Sequence, residues 1–191
     1  MSDDLAPNAM VGESPAEDGA SVSSLERLRG LLYEEGGLMR SLLTPEADSH
    51  NELRGPAQIA ASGPRVNGQG ADYELLIEAI YEGYLLHYHS ARVVGPSEDD
   101  LSLLAGDRLY ALGLARLVQL GDIEAVAELA DVITLTALAH GSGAPELADA
   151  VWVAGARAVG WGASPQHERA KALARAGAGE ALEAMRALAS G

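Results

Sequence analysis

The sequence predicts an all-α protein, a mostly antiparallel helical bundle. Three observations carry that reading. Alanine and leucine dominate a chain of 191 residues, 48% of them hydrophobic, and both residues favour helix. Aromatic residues make up only 4%, with no Phe, so Leu, Ala, Val and Ile must fill the core. Beyond residue 71, cap signals and short connections separate runs of helical apolar spacing, and no alternating strand pattern competes. Short connections make neighbouring helices antiparallel.

The elements follow in order. Residues 1–23 carry five acids and no base, the composition of a disordered acidic tail. Residues 24–43, SLERLRGLLYEEGGLMRSLL, mix leucine and charge at helical spacing, with Gly36-Gly37 as a point of division. Residues 44–71 hold Pro45, Pro56, Pro64, Gly55, Gly63, Gly68 and Gly70 and read as a linker with a brief helical turn at AQIAAS. A structureless loop of that length is unusual inside a compact domain, so the 24–43 helix is expected to dock loosely rather than belong to the core. The helical domain, 72–189, then runs to the end of the pattern.

Asp72 begins a helix that runs to about His89. Ser97, with Asp100 as the acidic member of a capping box, begins one that runs to Gly121. Asp122 caps a third, which ends near His140. Pro145 sits in the first turn of a fourth, stopping at Gly160, and Ser164-Pro165 opens a last helix broken at Gly177–Gly179.

Charge and composition exclude several functions. A formal net charge of −15 repels phosphate backbones and anionic membrane surfaces. The chain has no cysteine, which removes disulfides, thiolate nucleophiles and cysteine metal sites. The first residues are acidic where a secretory signal is basic, so a cytoplasmic location is expected. His87 and His89 stand two apart and face different ways on a helix, and no metal site or cofactor is expected in this chain.

Glu74, Glu78 and Glu82 form an i,i+4 stripe, read as a solvated face or as a surface for a basic partner. The opposite face, Tyr73, Ile77, Ile80, Tyr84 and Tyr88, has core or interface composition. Trp152 and Trp161 bracket an alanine-rich helix and read as core.

One stretch stands apart. In LLAGDRLYALGLARL, Leu103 to Leu117, two glycines and an acid–base pair interrupt a helix apolar nearly all round. That pattern marks a central buried helix. Gly106 and Gly113 become close-packing points, with Tyr110 between them. Asp107 and Arg108 are adjacent and point apart, so each needs its own partner on another element.

The stretch Glu98 to Asp122, EDDLSLLAGDRLYALGLARLVQLGD, resembles the helix that follows the first aspartate-rich motif of trans-polyprenyl diphosphate synthases. The resemblance covers Tyr73 to about Leu138. It implies a truncated helical bundle of isoprenoid-synthase type. In that family two aspartate-rich motifs hold Mg²⁺ against the diphosphates of the substrates, a task suited to a hard octahedral cation. At the matching place this chain reads LLHYHSARVVG. Leu86-His87 fit the pattern, but Tyr88 and His89 stand where two aspartates belong. Arg92 echoes the family's diphosphate-binding arginines, and no second aspartate-rich motif follows.

The resemblance is therefore to the small, non-catalytic subunits of heteromeric polyprenyl diphosphate synthases, such as heptaprenyl diphosphate synthase component I. It implies a catalytic large subunit as partner, Mg²⁺ held by that partner, and an influence on product chain length. A homo-oligomer is a further possibility. The alternative is a helical adaptor or scaffold unrelated to isoprenoid synthesis, docking through the acidic tail and the 24–43 helix.

Overall fold

The computed structural model describes residues 22–45 and 55–189. The acidic tail falls almost wholly outside the described residues. Within them the protein is all-helical. Its elements are α1 (Ser24–Glu35), α2 (Gly37–Ser41), α3 (Pro56–Ala61), a 3₁₀ turn (Pro64–Val66), α4 (Gly70–Tyr88), α5 (Asp99–Gln119), α6 (Ile123–Gly141), α7 (Pro145–Trp161), α8 (Pro165–Arg175) and α9 (Ala181–Ala189). No described helix is long and apolar enough to cross a membrane.

Local chemistry explains most boundaries. Ser23 and Glu26 close a reciprocal capping box on α1: the Glu26 N–H donates to Ser23 Oγ at 3.2 Å and the Ser23 N–H to Glu26 Oε2 at 3.0 Å. Asp122 accepts from the Ala125 N–H at 2.9 Å to start α6, and Ser164 accepts from the His167 N–H at 3.1 Å to start α8. The expected capping box at Ser97 does not form. There the N-cap falls one residue later, at Glu98, with no side-chain cap, and α5 starts at Asp99.

Helix α4 is the central element. Tyr73, Leu76, Ile77, Ile80 and Tyr84 face a main core shared with α3, α6, α7, α8 and α9. Its other side, with Ala79 and Leu86, meets Leu28, Leu31 and Leu32 of α1, Met39 of α2, Val93 and Val94, and Ala105, Leu109 and Leu112 of α5. A single bridge pairs Leu43 with Val94, tying the chain after α2 to the α4–α5 connection.

Three expectations are corrected here. First, the buried helix is α4, not the Leu101–Val118 stretch. One side of α5 packs on α4, while Leu103, Leu104 and Val118 remain 47%, 54% and 50% exposed. Second, the 24–43 segment is not loosely attached, because Leu28 and Leu32 are wholly buried. Third, the stretch read as linker contains α3, whose Pro56, Ala57 and Ala60 are buried. The proline that suggested a loop occupies the first turn of a helix, where its missing N–H costs nothing. The glycine that suggested a loop, Gly63, lets backbone touch backbone: a Cβ there would stand 2.2 Å from the Gly160 carbonyl oxygen of α7.

Helices α4 and α5 run antiparallel at unusually close range. A Cβ on Gly83 would lie 2.9 Å from the Gly106 oxygen, and one on Gly113 would lie 2.4 Å from Ile80 Cγ1. The register runs from Leu76 and Ile80 opposite Gly113 to His87 opposite Gly106. The propensity cost of each glycine is offset by this approach.

Candidate functional site

Of the residues singled out from the sequence, His87, Tyr88, His89, Gly106, Asp107 and Tyr110 lie at the C-terminal end of α4, while Gly113 packs on the middle of that helix and Arg108 turns to α1. His87 lies over Gly106, where a Cβ would come within 2.7 Å of its ring. It stacks on Tyr110 with ring centroids 5.2 Å apart. Its Nε2 stands 3.2 Å from Asp107 Oδ1, within ion-pair reach but without hydrogen-bond alignment. Asp107 thus has its partner on α4, and its side chain is 73% exposed. Arg108 finds a partner on α1 instead, Glu35 at 3.0 Å, which Arg116 also approaches at 3.5 Å. Burial pushes the Tyr110 phenol well above its ordinary range.

Tyr88 and His89 end the helix. Tyr88 stacks on His140 of α6 at 4.0 Å, the two rings nearly parallel. His89 turns into an extended conformation and its N–H donates to the Leu85 carbonyl at 2.7 Å. The Tyr84 hydroxyl then stands between two imidazoles, 3.0 Å from His89 Nε2 and 2.9 Å from His140 Nε2. Tyr84 is buried against Tyr81 and Trp152. Burial and the neighbouring Asp149 push its phenol upward. Burial, then the proximity of His89, hold His140 below the ordinary imidazole range, while Asp149 pulls it the other way.

Arg92 is engaged within the chain. Its Nε contacts Glu82 Oε2 at 3.1 Å, and its guanidinium also grips Glu78. Glu82 Oε1 accepts the backbone N–H groups of Arg92 at 2.7 Å, Val93 at 2.5 Å and Val94 at 3.2 Å. The acidic stripe is therefore not a solvated face, since Glu78 and Glu82 are buried. The basic partner it called for is Arg92, within the same chain. Burial pushes the Glu78 carboxyl up against the pull of Arg92. Glu74, the third member, meets Arg27 at 3.4 Å and the Gln58 amide at 3.1 Å.

At this helix end Tyr84, His89, His140, Glu78, Glu82 and Arg92 hydrogen-bond within the chain, whereas the buried His87 Nε2 has only the ion-pair approach of Asp107. Among the described residues, no cluster of three or more His, Cys, Asp or Glu is placed to hold a metal ion. Glu78 and Glu82, further back along α4, are held by Arg92 and, for Glu82, by backbone N–H groups. Trp152 is core, whereas Trp161 is exposed.

No protein-family model, no curated protein and no solved structure matches this chain.

Two features escape sequence reading. His140 lies 51 positions beyond His89, and nothing local relates them. A second buried network joins α6 to α8: Glu128 meets His167 Nε2 at 2.6 Å and Lys171 Nζ at 2.8 Å, and Lys171 also reaches Asp131 at 2.9 Å. Its only local signal is the i,i+4 pair His167 and Lys171 on a short helix.

Proposed function

We propose that this chain is a non-catalytic subunit of a heteromeric polyprenyl diphosphate synthase, binding a catalytic large subunit and influencing product chain length. The observation that carries the reading is the outer face of α5. It lies within the stretch that resembles the synthases, and it leaves Leu103, Leu104 and Val118 about half exposed, with Ala111 and Ala115 and the charged Asp107 and Arg108 between them also exposed. Large apolar side chains grouped on one surface mark a binding site. Mg²⁺ and both aspartate-rich motifs belong to the partner in this reading, since Tyr88 and His89 offer no carboxylate here.

Of the two docking elements of the adaptor alternative, the apolar side of α1 is already packed on α4, and the acidic tail lies almost wholly outside the described residues.

The test is co-expression with a long-chain prenyl synthase that carries both motifs. Co-purification and a changed product length are expected, and Leu104→Glu combined with Val118→Glu should abolish both while leaving the helical content unchanged. A chain that remains a stable monomer, and alters neither yield nor product length, refutes the reading.

A further inference from the structure

We propose that Tyr84, His89 and His140 form a proton-counting latch that holds the C-terminal ends of α4 and α6 together and opens when both histidines are protonated. The argument is an inventory of hydrogens. Two hydrogen bonds converge on one phenol oxygen, at 3.0 Å and 2.9 Å from the two Nε2 atoms. The phenol supplies one proton and so needs one imidazole nitrogen as acceptor. The other imidazole supplies the second proton as donor.

A first added proton fits this scheme. It enters the donor imidazole at Nδ1 and leaves both hydrogen bonds intact. A second must enter at the acceptor nitrogen. Both Nε2 atoms then carry hydrogens aimed at the same oxygen, and the phenol hydrogen of Tyr84, a residue buried with its ring against Tyr81 and Trp152, loses its imidazole acceptor. Two imidazolium rings would also face each other with centroids 5.6 Å apart. Both effects act on the second proton alone.

The other charged and titratable groups around the trio leave this count intact. Asp149 on α7 faces His140 and Tyr84 and favours the first proton. From α4, Tyr81 and Tyr88 contribute neutral phenols, and His87 is turned to Asp107 and Tyr110 of α5. Arg92 stands 5.3 Å from the Tyr81 ring with its charge held by Glu78 and Glu82. Opening breaks the stack of Tyr88 on His140 and frees the end of α6 from the segment that leads into α5.

The experiment follows the imidazole Cε1–H resonances of the full chain by NMR from neutral to acidic pH, with Trp152 fluorescence recorded in parallel in a Trp161→Phe background. His89 and His140 are expected to titrate in two separated steps, with the fluorescence change confined to the second. Tyr84→Phe removes the conflict over the phenol hydrogen and should raise the affinity for the second proton about tenfold, the equivalent of one hydrogen bond. His140→Gln keeps a donor and an acceptor that do not titrate, so the acid fluorescence change should vanish. Two independent histidines with equal pKa values, unmoved by Tyr84→Phe, would overturn the latch. So would a fluorescence transition that persists in His140→Gln.

Discussion

The approach of α4 to α5 can be tested by adding one carbon atom. Gly113→Ala places a methyl group 2.4 Å from Ile80 Cγ1 and 2.9 Å from the Leu76 carbonyl oxygen. Ordinary carbon contacts lie at about 3.5–4.0 Å, so the helices must part by roughly 1 Å or Ile80 must leave its rotamer. The Leu76 oxygen is backbone and has no rotamer to change. Overpacking of this kind costs about 1–3 kcal/mol, against a helix-propensity gain of about 1 kcal/mol. The net expectation is a loss of about 0–2 kcal/mol, against a gain at the control site. Gly30→Ala is the matched control. It lies inside α1, and a Cβ there meets nothing within 4 Å, so the same change should stabilise by about 0.5–1 kcal/mol. Urea unfolding followed by far-ultraviolet circular dichroism measures both. In a domain of this size each kcal/mol corresponds to about 2–4 °C in Tm. Equal gains from the two substitutions would refute the close approach.

Gly155→Ala on α7 should also destabilise, because its methyl would meet Val132 Cγ2 at 2.2 Å. Adding Val132→Ala should restore part of the loss, and a favourable coupling in the double-mutant cycle is the check. Glu82→Leu strands three backbone N–H groups and part of Arg92 in the interior. It should cost on the order of 3–5 kcal/mol, read as a drop in the urea midpoint. Acid stability has its own sign. Burial alone would raise Asp122, but hydrogen bonds from the Tyr73 hydroxyl and the Ala125 N–H, with Arg65 beside them, outweigh it and lower the carboxyl. A lowered carboxyl stabilises the fold fully above its unfolded pKa of about 3.9. That contribution is lost as pH falls through the folded value. Asp122→Ala should therefore be less stable than the parent at neutral pH, with the gap narrowing below about pH 4 in urea titrations.

Helix positions were largely legible because caps and short connections are local signals: Asp122, Pro145 and Ser164 mark the starts of α6, α7 and α8. Burial was less legible, because it depends on partners distant in sequence. Three glutamates at i,i+4 look solvated until Arg92 folds back over two of them. Leu103 and Leu104 look buried until α4 is seen to meet only one side of α5. Proline and glycine near residue 60 suggested a linker because the same residues that break helices also start them and permit backbone contact. At the candidate site, the lack of acids at Tyr88 and His89 was visible in the chain. The trio with His140 was not, since only tertiary packing relates them.

Lys171 is the only lysine in the chain, and it is buried under α6 with Glu128, Asp131 and Glu168 around its ammonium. Those carboxylates outweigh burial and hold its pKa above the ordinary lysine range. The native fold thus presents no reactive side-chain amine. Acetyl transfer, ubiquitin attachment and amine-directed cross-linking at a lysine all require a neutral, reachable ε-amine, so acylation at Lys171 reports the opening of the α6–α8 contact and serves as a clock for unfolding.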